Sequence, residues 1–278
     1  MSGMALRAYD VSRWGLFRFH GPDAKKFLQG LVTADLNKLA SRVCLPACVL
    51  TPKGLLIADC ELYEETPETV LAVTRPHAAI GFLWAFEKKI MLSDSSLKVL
   101  RSPQTWLIVG EGCERGLPWT RLGEPARLLL GVDPPEGVDF LTDEEFESLR
   151  VGAGFPWFGS DMNEESLPLE VRQDAAISMD KGCYMGQETV SRIVLRGHVN
   201  KILMGIHFER TPAAAGCVVL RGERVIGYVT SSAGAVGLVM IRYDDAVAGA
   251  RITAGGGGGE LFVFRSWPKP LSKPAAAT

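Results

Sequence analysis

No apolar run in this chain approaches the roughly 18 residues that a membrane-spanning helix needs. The opening stretch "MSGMALRAYDVSRWGLFRFHG" has neither a continuous hydrophobic segment nor a small-residue cleavage site, and it is too acidic and aromatic for a transit peptide. The expected compartment is therefore the cytoplasm. An excess of one charge is also missing. Thirty Lys and Arg stand against 32 Asp and Glu, a net charge of -2, which gives no electrostatic footprint for extended nucleic-acid binding. The six cysteines, Cys44, Cys48, Cys60, Cys113, Cys183 and Cys217, are scattered, which argues against a disulfide framework. Cys44 and Cys48 have a CxxxC spacing, but no paired Cys/His couple appears elsewhere, so no metal site is expected from them. There is no internal repeat. The run Gly255–Gly259 is followed by neither a GK[ST] triplet nor a helix, and it reads as a floppy hairpin rather than a phosphate cradle.

What remains is an ordinary globular composition, 47% hydrophobic and 22% charged, in a chain of 278 residues, long enough for roughly two domains. The alternation in "WGLFRF" predicts a strand. In "GPDAKKFLQGLVTADL" Asp23 is the expected N-cap of a helix that places Ala24, Phe27, Leu28 and Leu31 on one face. Asp35 is read as part of that helix's termination. "CVLTPKGLLIADCELYEE" predicts two strands around a Pro-Lys-Gly turn, and "TVLAVTR" and "TWLIVG" predict two more. Between these last two, "PHAAIGFLWAFEKKI" predicts a helix with Pro76 at its first position. "GVDPPEG" marks a boundary. "TDEEFESLRVGAG" then carries a capping box, Thr142 with Glu145, and Gly152 as the expected stop. From "ILMGIHFE" onward, short apolar runs recur about every 8–12 residues, the pattern of a small β-barrel or sandwich.

The stretch "KGCYMGQE", Lys181–Glu188, sets a thiol among glycines and polar residues. The following "QETVSRIVLRG" predicts a helix closed by Gly197, with Glu188 in its first turn. Cys183 then lies just ahead of a helix N-terminus, where the dipole and the charge of Lys181 favour a thiolate, and Tyr184 and Gln187 offer hydrogen bonds or a stacking face. The same spacing also suits a small apolar side chain packed beneath a turn. The nearest histidine, His198, falls beyond the helix, so Cys/His nucleophilic catalysis is not supported. Glu170, at the end of the loop "ESLPLE", is either a solvated loop acid or a carboxylate that accepts paired N–H bonds from a heterocycle.

"KGCYMGQE" resembles the signature of the YgfZ-type folate-binding proteins, relatives of the glycine-cleavage T-protein and of the mitochondrial iron–sulfur assembly factor. "FLQGLVTADL", "LTPKGLLIADCELYE" and "ESLPLE" resemble further family segments in the same order, so the likeness runs from about residue 10 to 265. It implies an α+β, aminomethyltransferase-like fold of three subdomains around a central cavity with a small C-terminal β-barrel. The corresponding division is 1–44 with 138–198 as a discontinuous folate-binding subdomain, 45–137 as a second, 199–267 as the barrel and 268–278 as a disordered tail. The likeness implies binding of tetrahydrofolate or a one-carbon derivative, with Glu170 holding the pterin and Lys181, Tyr184, Gln187, Glu188 and Arg192 as further cofactor-binding candidates. It implies Cys183 as the functional thiol, where the T-protein has an aspartate, and it admits a transient iron–sulfur cluster there. The implied role is the making or repair of iron–sulfur proteins, including enzymes that thiolate tRNA, with those clients or assembly proteins as partners. The T-protein's paired aspartates appear here as Ala58-Asp59, so Asp59 keeps an aminomethyltransferase reading open beside a solvent-facing strand-end one.

Overall fold

The computed structural model describes residues 6–101, 104–268 and 271. The elements follow in the order β1 (Arg7–Asp10), β2 (Gly15–His20), α1 (Ala24–Gln29), β3 (Leu45–Leu50), β4 (Leu56–Thr66), β5 (Thr69–Thr74), α2 (Ala79–Glu87) and β6 (Ser96–Leu100). Next come β7 (Thr105–Val109), β8 (Leu117–Trp119), β9 (Ala126–Leu130), β10 (Asp139–Phe140), α3 (Asp143–Gly152) and α4 (Gln187–Arg196). The last strands are β11 (Lys201–Phe208), β12 (Val218–Arg221), β13 (Arg224–Ala233), β14 (Val236–Arg242), β15 (Arg251–Ala254) and β16 (Gly257–Phe262).

These strands make two five-stranded sheets, ordered β3-β4-β5-β2-β6 and β10-β1-β7-β9-β8, and a closed barrel, β11-β14-β13-β12-β15-β16. The inner strand β5 of the β3–β6 sheet is buried on both faces and runs nearly unbroken in apolar residues, whereas the edge strand β6 is largely exposed. On one face Phe17, Phe19 and Leu62 pack with Leu28 of α1 and Phe82 and Phe86 of α2. On the other, Leu16, Tyr63, Leu71 and Val73 join Leu107, Val109, Leu128 and Trp119 of the second sheet. Closure of the barrel through β11 and β16 removes its edges.

The topology corrects the expected division. β2 pairs with β5 and β6, so residues 15–100 belong to one sheet and a boundary at 44/45 would cut through it. β1 and β7–β10 build the other sheet, which splits the expected 45–137 unit near residue 100. Long-range strand pairing, invisible to local pattern, decides this. The expected tail of 268–278 lies almost wholly outside the described residues.

Two local expectations change as well, and a third is sharpened. Asp23 makes no side-chain cap bond; its carboxylate accepts instead from the Asp94 N–H at 3.2 Å. The Thr142–Glu145 capping box forms, but α3 continues through Gly152. The five glycines form the expected hairpin, with part of the run inside a strand. Gly255 and Gly256, at φ 57° and 83°, are the two central residues of a tight hairpin, and Gly257–Gly259 are strand residues of β16. A Cβ at Gly259 would meet the tip of the Ile206 side chain at 2.8 Å and the His207 carbonyl at 3.0 Å, so a larger residue there requires its neighbours to shift.

Candidate functional site

The period of a strand is two, so Asp59 and Glu61 of β4 project from one face of their sheet, the face turned toward the β7–β9 sheet. Arg75, which follows β5, reaches both acids. Its Nη2 donates to Glu61 at 2.6 and 2.7 Å and to Asp59 at 3.1 Å. Asp59, Glu61 and Arg75 are all completely buried. Arg75 lies in a box of aromatic rings, its guanidinium 5.0 Å from Trp14, 4.9 Å from Trp119, 5.1 Å from Phe155 and 5.7 Å from Trp157. From the other sheet comes Arg121, whose Nε is 3.3 Å from Glu61 and whose Nη2 donates to Gln173 at 2.6 Å. Two carboxylates and two guanidiniums thus make a neutral buried quartet. Burial works against the Arg75 charge, but Glu61 and Asp59 outweigh it and its pKa is raised. Burial also pushes the Glu61 carboxyl up, against both arginines. Four atoms of the quartet, Asp59 Oδ1, Arg75 Nε and Nη1 and Arg121 Nε, are buried without a hydrogen-bond partner among the described residues.

Above the quartet lies a cavity of about 130 Å³ where the two sheets, the loop before α4 and the segment after the barrel meet. Arg121, Gln173, Phe155, Arg172, Ser266 and Trp267 line it. Trp267 is fixed by its indole N–H on the Gly154 carbonyl and by the Arg172 guanidinium 4.9 Å above its ring. Arg172 has φ 61°, left-handed and costly outside glycine, a form of strain that clusters at functional sites. Two aromatic walls, a primary amide and a guanidinium suit a planar heterocycle with polar edges, and in that respect the lining fits a pterin.

Glu170, two residues before Arg172, is not in that lining. It is buried, its carboxylate accepts from the Leu167 N–H at 3.1 Å, and Lys201 Nζ is 3.9 Å away. Burial raises its pKa. Its carbonyl accepts from the Leu203 N–H of β11, so it ties the loop carrying Arg172 and Gln173 to the barrel.

The signature stretch is a clasp on the β3–β6 sheet and its helices. Lys181 does not stand by as a counter-charge for the thiol: its ammonium donates to the carbonyls of Gln29, Val32 and Ala34 at 2.6, 2.8 and 2.6 Å, where α1 ends. Burial lowers its pKa to about 8. Tyr184 is packed in the core, its ring 5.2 Å from the Lys181 ammonium, and burial raises its pKa to about 12. The Met185 N–H donates to the Gly30 carbonyl. Gly186 sits at φ 83° against the Pro-Lys-Gly turn, where a Cβ would come 2.7 Å from the Thr51 carbonyl, and Gly54 of that turn is equally tight against Thr189 of α4. Thr33 completes the join: its hydroxyl donates to Ala176, its carbonyl accepts from Ser178 and its oxygen also accepts from the Cys48 N–H. Three of the four sequence segments that carry the family likeness therefore converge on one structural joint, and Glu170, at the end of the fourth, lies apart from it.

From this joint only the Gly182-Cys183 tip stands out. Cys183 is exposed, while Cys48 and Cys60 are buried and Cys44, Cys113 and Cys217 half-buried. Gln187 and Glu188 open α4 as expected, with Glu188 exposed, and Arg192 is exposed one turn on, 3.5 Å from the Thr189 hydroxyl. The structure thus groups Lys181, Tyr184 and Cys183 in one loop and leaves Asp59 and Glu170 apart from it. Among the described residues no group of three or more His, Cys, Asp or Glu is placed to hold a metal ion, so this chain alone does not fit a resident iron–sulfur cluster. Sequence reasoning missed Glu61, Arg75, Arg121, Gln173 and Trp267. The i, i+2 pair Asp59 and Glu61 in "ADCEL" was the available signal; the arginines carried none.

Comparison with known proteins agrees with the architecture. Among solved structures, the glycine cleavage system aminomethyltransferase T from Bartonella henselae superposes with a TM-score of 0.76 over 96% of this chain and 88% of that one, at 17% identity. The molecule therefore has the aminomethyltransferase fold. Residues 201–269 match the family model described as the CAF17 C-terminal beta-barrel domain. The chain is 31% identical over 210 residues, 74% of each chain, to an uncharacterized protein of Haemophilus influenzae. It is 24% identical over 228 residues, 70% of this chain and 69% of the other, to the tRNA-modifying protein YgfZ of Photorhabdus laumondii. To an aminomethyltransferase of Prosthecochloris aestuarii it is 22% identical, with 80% and 74% covered. The chain belongs to the YgfZ/GcvT-like family.

Proposed function

We propose that this protein is a folate-binding accessory protein for iron–sulfur cluster assembly or maintenance, supporting enzymes that thiolate tRNA, with Cys183 as its functional thiol. The observation that carries the reading is the signature loop: Lys181, Tyr184 and Gly186 are locked into the body while the thiol between them is held out toward solvent. Buried, uncharged cysteines are inert; an exposed thiol on a rigid mount is available to a partner. Any cluster it meets is cargo and needs ligands from the partner. Tetrahydrofolate is assigned to the cavity above the quartet, with Arg121 and Gln173 at its polar edge and Phe155 and Trp267 as its walls. When bound, it supplies a one-carbon carrier; the chain's own residues bind and orient it.

An aminomethyltransferase reading would need Asp59 to face the folate. Against it, Asp59 is fully buried and its Oδ2 is engaged by Arg75. Complementation of a strain lacking a family member tests the main reading: Cys183→Ala is expected to fail to restore iron–sulfur enzyme activity, and full restoration would overturn the thiol's role. Titration calorimetry with tetrahydrofolate tests the ligand, and no heat at millimolar concentration would remove it. Methylene-tetrahydrofolate formation lost in Asp59→Asn but intact in Cys183→Ala would favour the transferase.

A further inference from the structure

A second cavity, of about 190 Å³, opens between β1, the turn after it, the start of the α2 segment and Trp157. Its walls are the rings of Tyr9, Trp14 and Trp157 and its rim carries Asp10, Arg13 and His77. It is separate from the folate cavity and shares no lining residue with it. The rings are immobilised from behind. Tyr9 stacks on Phe146 at 3.9 Å and 3°, Trp157 is held edge-on by Phe146 and Phe155 at 5.6 and 5.9 Å, and Trp14 packs on Trp119 at 5.0 Å. Arg75, fully buried and not in the cavity lining, lies on the inner side of Trp14 and Trp157. Tyr9 and Trp157 stay half-exposed on the cavity side, and the nearly buried Trp14, 6% exposed, closes its floor.

The charged groups on the rim divide. Asp10 Oδ1 accepts the Ser12 N–H at 2.8 Å, and Asp143 beside the cavity accepts the Tyr9 hydroxyl at 3.0 Å, so both acids are engaged. Arg13 has only a 3.8 Å approach to Asp143, with its side chain 79% exposed. The exposed His77 ring leans on Gly159, where a Cβ would come within 2.9 Å, and makes no hydrogen bond among the described residues. Fixed aromatic faces beneath two cationic or donor groups with free N–H bonds match a planar base joined to an anionic group. We propose that this cavity is a nucleotide site, with the base against Tyr9, Trp14 and Trp157 and the phosphate held by Arg13 and His77.

The same chemistry is offered by a free nucleotide or by the end of an RNA strand, and the test separates them. Tryptophan fluorescence and calorimetry are followed while adenosine 5′-monophosphate, adenosine, inorganic phosphate or a 5′-phosphorylated oligoribonucleotide is added to the full chain. The monophosphate is expected to quench saturably, with adenosine and inorganic phosphate each weaker. Arg13→Gln and His77→Gln, both surface changes, each weaken binding about tenfold, the loss of one charge-assisted hydrogen bond, with unfolding unchanged. A phosphate-dependent gain with the oligonucleotide over the mononucleotide assigns the site to an RNA end; equal binding assigns it to a free nucleotide. No quenching at millimolar monophosphate, quenching that both variants leave unchanged, or displacement by tetrahydrofolate overturns the proposal. The last outcome would leave the folate reading standing.

Discussion

At the quartet, two carboxylates and two guanidiniums are buried together, and only Arg121 keeps some exposure to the cavity above. At the signature loop, one ammonium is buried on three carbonyls while the thiol two residues on is left outside. Both regions hold a buried cation, and each satisfies it differently. Carboxylates neutralise Arg75, through Nη2 alone, and leave a closed cluster in which Arg75 Nε and Nη1 and Asp59 Oδ1 stay unpaired. Neutral carbonyls satisfy the donors of Lys181 but not its charge, so its pKa falls and the contact works as an anchor. By residue type the quartet looks like the catalytic centre; by accessibility the reactive group belongs to the loop. Perturbed and buried charges do not by themselves mark chemistry.

The largest expected effect breaks the quartet. Arg75→Met leaves Asp59 and Glu61 buried side by side without their shared partner, a change that costs about 3–5 kcal/mol in denaturant unfolding. Next, Lys181→Met strands three buried carbonyls and is expected to cost about 2–4 kcal/mol. It should also change the rate at which Cys183 reacts with iodoacetamide, a readout that Arg75→Met, measured under conditions where it remains folded, leaves unchanged. The third test falls between the two regions, at a buried acid whose cationic neighbour, Lys201, stays 3.9 Å away. Because burial raises the folded pKa of Glu170 above its ordinary value of 4.5, the folded chain holds the proton longer than the unfolded one. Stability linked to this group is present below that ordinary value and is lost as pH rises through the folded pKa. Glu170→Gln keeps an acceptor for the Leu167 N–H and should flatten that part of a melting-temperature profile taken from pH 4 to 8. The smallest stability effect sharpens the contrast most. Cys183→Ala is expected to shift unfolding by no more than about 0.5 kcal/mol while abolishing complementation, as befits an exposed side chain.

The elements were legible where local pattern suffices. The capping box at Thr142, the hairpin around Pro-Lys-Gly, the helix closed by Gly197 and the barrel strands all follow from spacing and turn chemistry. The division into sheets was not, because "GLFRFH" carries no mark that it pairs with residues 69–74 and 96–100. The glycine run was legible as a hairpin but not as a strand, because glycine carries no alternation to mark that Gly257–Gly259 pair with β15 and β11.

For the candidate site, the sequence by itself singled out a thiol in a turn ahead of a helix and placed the chain with relatives whose segments occur in the same order. The physical reason is local: glycines, caps and strand alternation act over a few residues and leave their trace in spacing. Only the tertiary structure decided that Lys181 anchors the loop rather than activating Cys183, and that Asp59 is held by an arginine 16 residues away. It also decided that Glu170 braces the barrel from behind the cavity lining. Those outcomes depend on which carbonyls, rings and charges the packed sheets bring within about 3 Å of one another, a hydrogen-bond distance that no periodicity encodes.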